Sequence, residues 1–133
     1  LGASYTGRYN KLSSNHKVSE FNFSIDYNIN LFFTLGKKMK ANIFYKNTGK
    51  VPTFIKEDNN IFESSSDPYN LLDLSISRRM INDQLILTIG AKNLFNVTNI
   101  RRYNSENIVH SSSNNMMSIG YGRSFFTKLN FRL

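Results

Sequence analysis

The chain has 133 residues, of which 40% are hydrophobic, 14% aromatic and 20% charged. This composition excludes a disordered tail, and the length would suffice for one ordinary domain. The sequence contains no cysteine, which excludes a disulfide framework and a thiolate metal site. The formal net charge of +8 at first suggests a nucleic acid or an anionic membrane surface as the partner.

The hydrophobic residues are not gathered into one long run. No apolar segment approaches the roughly 18 residues that a membrane-spanning helix needs. A strand that crosses a membrane in a β-barrel gives a weaker signal, because its lipid-facing and lumen-facing residues alternate. The chain begins at Leu1 without a methionine or a leader, so we expect either a removed leader or a longer polypeptide.

Alternation with period two is the main pattern along the chain, although residues 1–10 show it only weakly. From Phe21 to Phe33 every odd position is apolar or aromatic, and every even position is polar except Phe32. A helix would repeat its apolar positions at intervals of three and four. The pattern therefore predicts a strand over 20–35 with one apolar face and one wet face.

The same alternation recurs four times downstream, at 39–46, 69–79, 84–95 and 121–133. A strand that crosses a membrane needs about 9–11 residues, whereas strands of globular proteins average about 5–6. Most of these segments reach the greater length, and 20–35 exceeds it. The sequence thus predicts an all-β antiparallel fold with about six strands.

The links between these strands alternate strictly between long and short. Transmembrane barrels show this alternation, because their periplasmic turns are short and their extracellular loops are longer. The long links are Lys11 to about Ser19, Asn47 to about Pro68 and Asn96 to about Asn115, and the short ones are Gly36 to Lys38 and Met80 to Asp83.

Two stretches in the second half of the chain carry specific motifs. In the first, Tyr69 to Arg79 contains Leu-Asp-Leu, and Leu85 to Asn96 follows a tight turn and ends in Asn-Leu-Phe-Asn. In the second, Gly120 to Leu133 contains Gly-Arg followed by alternating aromatic residues. In this order and spacing they resemble the penultimate hairpin and the closing strand of TonB-dependent outer-membrane receptors. One departure is Leu133, where the family usually has Phe.

The resemblance implies an antiparallel up-and-down transmembrane β-barrel in the outer membrane of a Gram-negative bacterium. Residues 1–133 would be its C-terminal part, incomplete alone because even small barrels use about eight strands. The implied function is nutrient uptake with an unresolved ligand, without catalysis, cofactor or metal. The implied partners are outer-membrane lipid and lipopolysaccharide, the plug and remaining strands, the barrel-assembly machinery and, through the missing part, a periplasmic energy-coupling protein.

Candidate functional residues fall into two groups. Loops on a rigid scaffold carry recognition, so we expect ligand contacts in the loops 47–68 and 96–115. The candidates there are Thr53, Phe54, Arg101, Arg102 and Tyr103. The resemblance also implies a barrel-assembly signal on the closing strand, formed by Phe125, Leu129, Phe131 and Leu133.

Other interpretations remain open at this point. A different outer-membrane barrel, such as a passive channel or an assembly substrate, and a soluble all-β binding module both accommodate the strand pattern. Nucleic-acid binding is disfavoured, because the aromatic residues alternate with the charged ones instead of sharing a face with them. We expect His16 and His110 to be solvated loop residues, and Asp26 and Asp73 to be solvated residues of the lumen.

Overall fold

The computed structural model describes residues 1–9, 20–57, 60–104 and 116–132. Every regular element in these ranges is a β-strand, which confirms the all-β prediction. The strands are β1 (Gly2–Tyr9), β2 (Phe21–Leu35), β3 (Met39–Thr48), β4 (Val51–Glu57), β5 (Asn60–Ser66), β6 (Tyr69–Met80), β7 (Leu85–Lys92), β8 (Asn99–Asn104), β9 (Met116–Ser118) and β10 (Ser124–Phe131).

Six of these strands form one antiparallel sheet in the order β1-β2-β3-β6-β7-β10. They correspond to the six segments that alternation predicts. The sheet is not closed, since β1 and β10 lie at its two ends and each pairs with one neighbour. The prediction of an antiparallel sheet that is incomplete alone is therefore confirmed.

In the observed pairing register, the alternating residues of each strand lie on the same two faces of the sheet as those of its neighbours. Residues that pair across an antiparallel ladder point to the same face. We call one side the apolar face and the other the polar face. The apolar face carries Tyr5, Tyr9, Phe21, Phe23, Ile25, Tyr27, Ile29, Leu31, Phe33, Leu35, Met39, Ala41, Ile43, Tyr45, Leu72, Leu74, Ile76, Leu85, Leu87, Ile89, Ala91, Phe125, Leu129 and Phe131.

The strands of the large sheet are strongly staggered. On β2, β1 pairs with residues 21–28 and β3 pairs with residues 26–35, so the two neighbours share only three positions. Consequently the apolar positions run diagonally across the sheet. Such a stagger is the geometry of strands that tilt relative to a barrel axis.

A second sheet with the order β4-β5-β8-β9 lies within the two long links. The prediction of about six strands therefore omits these four, three of which lie within the segments predicted as the loops 47–68 and 96–115. Pro52 lies in β4 at the edge of this sheet, where the missing N–H removes no interior ladder bond. We call this sheet the loop sheet.

The short links of the large sheet lie at one end of it, which we call the short-turn end. Gly36 has a φ of 69°, which favours glycine at the start of the β2–β3 turn. Met80 belongs to β6, so the second turn covers residues 81–84 instead of 80–83. The N–H of Gln84 donates to the carbonyl of Ile81 across this turn, at 2.9 Å.

The described residues have an inverted burial pattern. Among the side chains that the structure describes, Ile100 is the one buried apolar residue, with 5% exposure. The buried polar side chains are more numerous: Asn22, Ser24, Thr48, Ser64, Ser66 and Asn93. A water-soluble domain places its apolar side chains inside, and the described side chains show the opposite arrangement.

Candidate functional site

The apolar face is a continuous hydrophobic surface on the outside of the described structure. Phe125 is 77% exposed and Ile89 is 53% exposed, although both belong to regular strands. Exposed apolar patches of more than a few hundred Å² are rare on monomeric soluble proteins and mark a contact with lipid or protein. Along the six strands, one large hydrophobic exposed side chain, Phe32, lies on the polar face.

The charged residues of the six strands lie almost entirely on one face of the sheet. Within the six strands, Arg78 is the one charged residue on the apolar face, opposite Met39 and Leu87. All the others lie on the polar face: Arg8, Asp26, Lys40, Lys46, Asp73, Arg79, Lys92 and Lys128. Aromatic and cationic residues are separated less completely, because the Lys92 ammonium lies 5.7 Å from the centre of the Phe126 ring on the polar face.

Aromatic residues cluster at the long-link end of the apolar face. The rings of Tyr5 and Phe23 stack with centroids 5.1 Å apart, and those of Tyr9 and Phe21 lie 5.2 Å apart. Such pairs contribute about 0.5–1.5 kcal/mol beyond their buried area. Below them the face is mainly aliphatic, with an open depression of about 450 Å³ that Leu74, Ile89 and Phe125 help to line.

The Asn-Leu-Phe-Asn motif is a turn that ties three strands together, and not the end of a strand over 84–95 as the alternation predicts. Asn93 is buried, with a φ of 52° that asparagine tolerates better than most residues. Its side chain accepts from the N–H of Val97 at 3.0 Å and donates to the carbonyls of Val97 and Tyr121 at 2.9 and 3.2 Å.

The second asparagine of the motif and the arginine of the Gly-Arg pair complete this junction. The side chain of Asn96 accepts from the N–H of Arg123 at 2.9 Å, and the Arg123 guanidinium donates twice to the carbonyl of Leu94, at 3.1 and 2.7 Å. A Cβ on Gly122 would lie 2.6 Å from the side-chain oxygen of Asn96, so a larger residue there would press on the atom that accepts the Arg123 N–H. Both motifs therefore have a structural role, which the sequence alone did not reveal.

Asp26 and Asp73 are not simply solvated, which corrects the expectation for both. The carboxylate of Asp26 accepts from the N–H of Gly49 at 3.2 Å, and that of Asp73 accepts from the N–H of Asn93 at 2.9 Å. Both bonds are partly buried and lie where the neighbouring strand ends. The Asp73 carboxylate thus satisfies a backbone amide that leaves the ladder, whereas the N–H of Gly49 also donates to the backbone carbonyl of Ile25, at 2.9 Å.

The predicted ligand-contact residues do not all lie on one face of the loop sheet. Thr53 and Phe54 are neighbours on β4, so their side chains point to opposite faces of the loop sheet. Arg101 helps to line an open pocket of about 540 Å³ between the loop sheet and the start of β6. Tyr69, Asn70 and Met116 also line this pocket. For Arg102 and Tyr103 the structure describes the backbone alone, which pairs with Ser66 and Ser65.

One feature of the loop sheet was missed by the sequence analysis. Thr53 and Ser64 are directly paired, and the hydroxyls of both are buried without a hydrogen-bond partner among the described residues. Ser64 is 2% exposed. Serine and threonine are too common in loops for the sequence to indicate such a pair.

The proposed assembly-signal residues lie together at the open edge of the sheet. Phe125, Leu129 and Phe131 are all exposed on the apolar face of β10. Leu133, His16 and His110 lie outside the described residues.

No protein-family model, no curated protein and no solved structure matches the chain. The described part of the chain contains no helix that is long and apolar enough to cross a membrane. Within the same residues, no group of three or more His, Cys, Asp or Glu side chains could hold a metal ion. The receptor family therefore stays a prediction.

Proposed function

We propose that the chain is the C-terminal wall of an outer-membrane β-barrel, in a receptor of the TonB-dependent class that takes up a nutrient. The observation that carries the proposal is the inverted sheet, whose exposed face is apolar over six strands and whose charged residues, apart from Arg78, lie on the other face. Lipid tails would cover the apolar face, and the polar face would line the lumen.

The stagger and the links support the same proposal. Short turns lie at one end of the sheet and the loop sheet extends from the other, as in barrels with short periplasmic turns and long outer loops. The open edges of β1 and β10 would pair with further strands, because unpaired backbone groups are too costly inside a bilayer. This part of the protein would contribute wall, outer loops and the assembly signal.

The receptor class, as distinct from other barrels, rests on the two motifs. Their residues form the junction between β6, β7 and β10, which gives a physical reason for the pattern. A passive outer-membrane channel is the alternative within the same architecture. An upstream plug domain, together with uptake that stops when the inner-membrane energy source is removed, would favour the receptor.

Site-directed spin labelling tests the membrane assignment directly. These 133 residues contain no native cysteine, so an introduced cysteine is the one labelling site among them. Labels at Ile89→Cys and Thr88→Cys occupy adjacent positions on opposite faces of β7. We expect oxygen, which concentrates in lipid, to relax the first label more strongly than a water-soluble nickel chelate does, and the reverse for the second. Equal accessibility to the two relaxing agents at both sites would contradict the proposal.

A further inference from the structure

The polar face is strongly cationic, and its acids are already engaged. Asp26 and Asp73 are its two carboxylates within the strands, and each accepts a backbone N–H near the long-link end. Three of the six cations on this face, Lys40, Arg79 and Lys128, lie toward the short-turn end, where no strand position of the face carries a carboxylate. This surplus points to an anionic partner.

Four cations meet in one pocket at the short-turn end. Lys38, Lys40, Arg79 and Arg132 line this pocket of about 310 Å³, together with Ser77, Asp83 and Ile86. Asp83 is the single carboxylate among these lining residues, and it lies 3.8 Å from the guanidinium of Arg79. Arg79 also donates to the carbonyl of Lys37 at 2.9 Å, so it supports the turn. The other three cations have no ion pair among the described residues.

The cations are spread too widely for one small anion. The ladder places Lys40, Ser77, Thr88 and Lys128 in one row across four strands. Strands lie about 4.8 Å apart, so this row is roughly 14 Å wide. The hydroxyls of Ser77 and Thr88 lie 2.9 Å apart in the middle of the row and offer further hydrogen bonds. A ligand that reaches both ends must be extended and carry several negative charges.

We propose that this pocket, with Lys128, binds an acidic polypeptide segment that has at least two carboxylates. A lipid is disfavoured because the cluster lies on the polar face, where Ile86 is the one apolar side chain that lines the pocket. The pocket has no aromatic lining on which a nucleic-acid base could stack. The inference depends on the sheet alone and not on the receptor class.

The test uses the full-length protein that contains this chain, purified in a neutral detergent. The probe is a fluorescent peptide of alternating Glu and Gly with about ten residues, which spans the pocket when extended at roughly 3.4 Å per residue. Fluorescence anisotropy should show binding that weakens as salt is raised, because exposed charges are screened. A matching Gln-Gly peptide should not bind.

Two triple variants, each lacking three cations, test whether the peptide binds at this pocket. Lys38→Gln/Lys40→Gln/Arg132→Gln removes three charges from the pocket, and Arg8→Gln/Lys46→Gln/Lys92→Gln removes three from the same face at a distance. We expect the first to weaken peptide binding about tenfold or more and the second to change it less than about threefold. The single variant Lys40→Gln should weaken binding about two- to threefold if the triple variant does not fold.

Two results would overturn the inference. Equal weakening by both triple variants would mean that the peptide senses only the overall charge. Displacement of the peptide by inorganic phosphate at an equal concentration would show a site for a small anion only.

Discussion

Asn93 combines an unfavourable backbone conformation with three side-chain hydrogen bonds at one buried position. Asn93→Ala would leave the partner groups of Val97 and Tyr121 unsatisfied and place alanine at a positive φ. We expect a loss of about 2–4 kcal/mol in unfolding free energy. The measurement is urea unfolding of the full-length protein in detergent, followed by circular dichroism.

Asn82→Ala is the matched control for this loss. Asn82 has a nearly equal φ of 51° but is exposed in the turn. Its replacement should cost about 1 kcal/mol, from the backbone alone. If the two variants lost the same stability, the hydrogen bonds of Asn93 would contribute nothing.

Two strand glycines differ in what surrounds them. A Cβ on Gly90 would lie 2.5 Å from the Phe126 ring and 2.7 Å from the backbone carbonyl of Leu74, which cannot move away easily. A Cβ on Gly7 would meet only the exposed ring of Phe23. We expect Gly90→Ala to cost about 1–3 kcal/mol and Gly7→Ala to stay within about 0.5 kcal/mol, by the same unfolding measurement. The reverse order would contradict the described packing around both residues.

At the level of a turn, the β6–β7 connection contains a residue that its geometry does not favour. Ile81 is 61% exposed and has a φ of 49°, which is strained for a β-branched residue. Ile81→Asn should therefore raise the unfolding free energy by about 1 kcal/mol. Asn82→Ile, which creates the same conflict one residue later, should lower it by a similar amount. A stability loss in Ile81→Asn would show that this isoleucine makes a contact that outweighs the strain.

Strand β6 offers a comparison of the two faces at neighbouring positions. Ile76 is exposed on the apolar face, and Ser75 precedes it on the polar face. If lipid covers the apolar face, Ile76→Lys should cost about 2–4 kcal/mol in folding into phospholipid vesicles, and Ser75→Lys under about 1 kcal/mol. Similar costs for both would argue against a lipid-facing surface.

Alternation in the sequence was sufficient to predict the strands of the large sheet and not those of the loop sheet. In β2 the pleat, the apolar positions and the pairing all repeat every two residues. β5 ends in Ser64, Ser65 and Ser66, and three identical polar residues show no alternation from which a strand could be predicted. The pattern also could not predict that Asp73 meets the amide of Asn93, because that contact depends on how two strands end side by side.

At the scale of the whole molecule, the described large sheet presents an apolar face and two open edges, at β1 and β10, to its surroundings. Such edges are templates for pairing with another chain. We therefore expect the 133-residue chain, prepared alone in plain buffer, to self-associate and to bind a hydrophobic dye. Light scattering with and without detergent above its critical micelle concentration measures this. A monodisperse monomer in plain buffer would rule out the proposed function.

Arg78 has a consequence for how β6 can shift. When a strand shifts by two residues along its neighbours, each side chain stays on the same face of the sheet. Alternation alone therefore does not distinguish the observed register from the shifted one. Lying two residues before the end of β6, Arg78 can extend its guanidinium to water past the short-turn end. If lipid covers the apolar face, sliding β6 by two residues toward the long-link end would draw this cation one row deeper into hydrocarbon. Arg78 therefore disfavours a two-residue shift of β6, which the alternation of apolar and polar residues alone would permit.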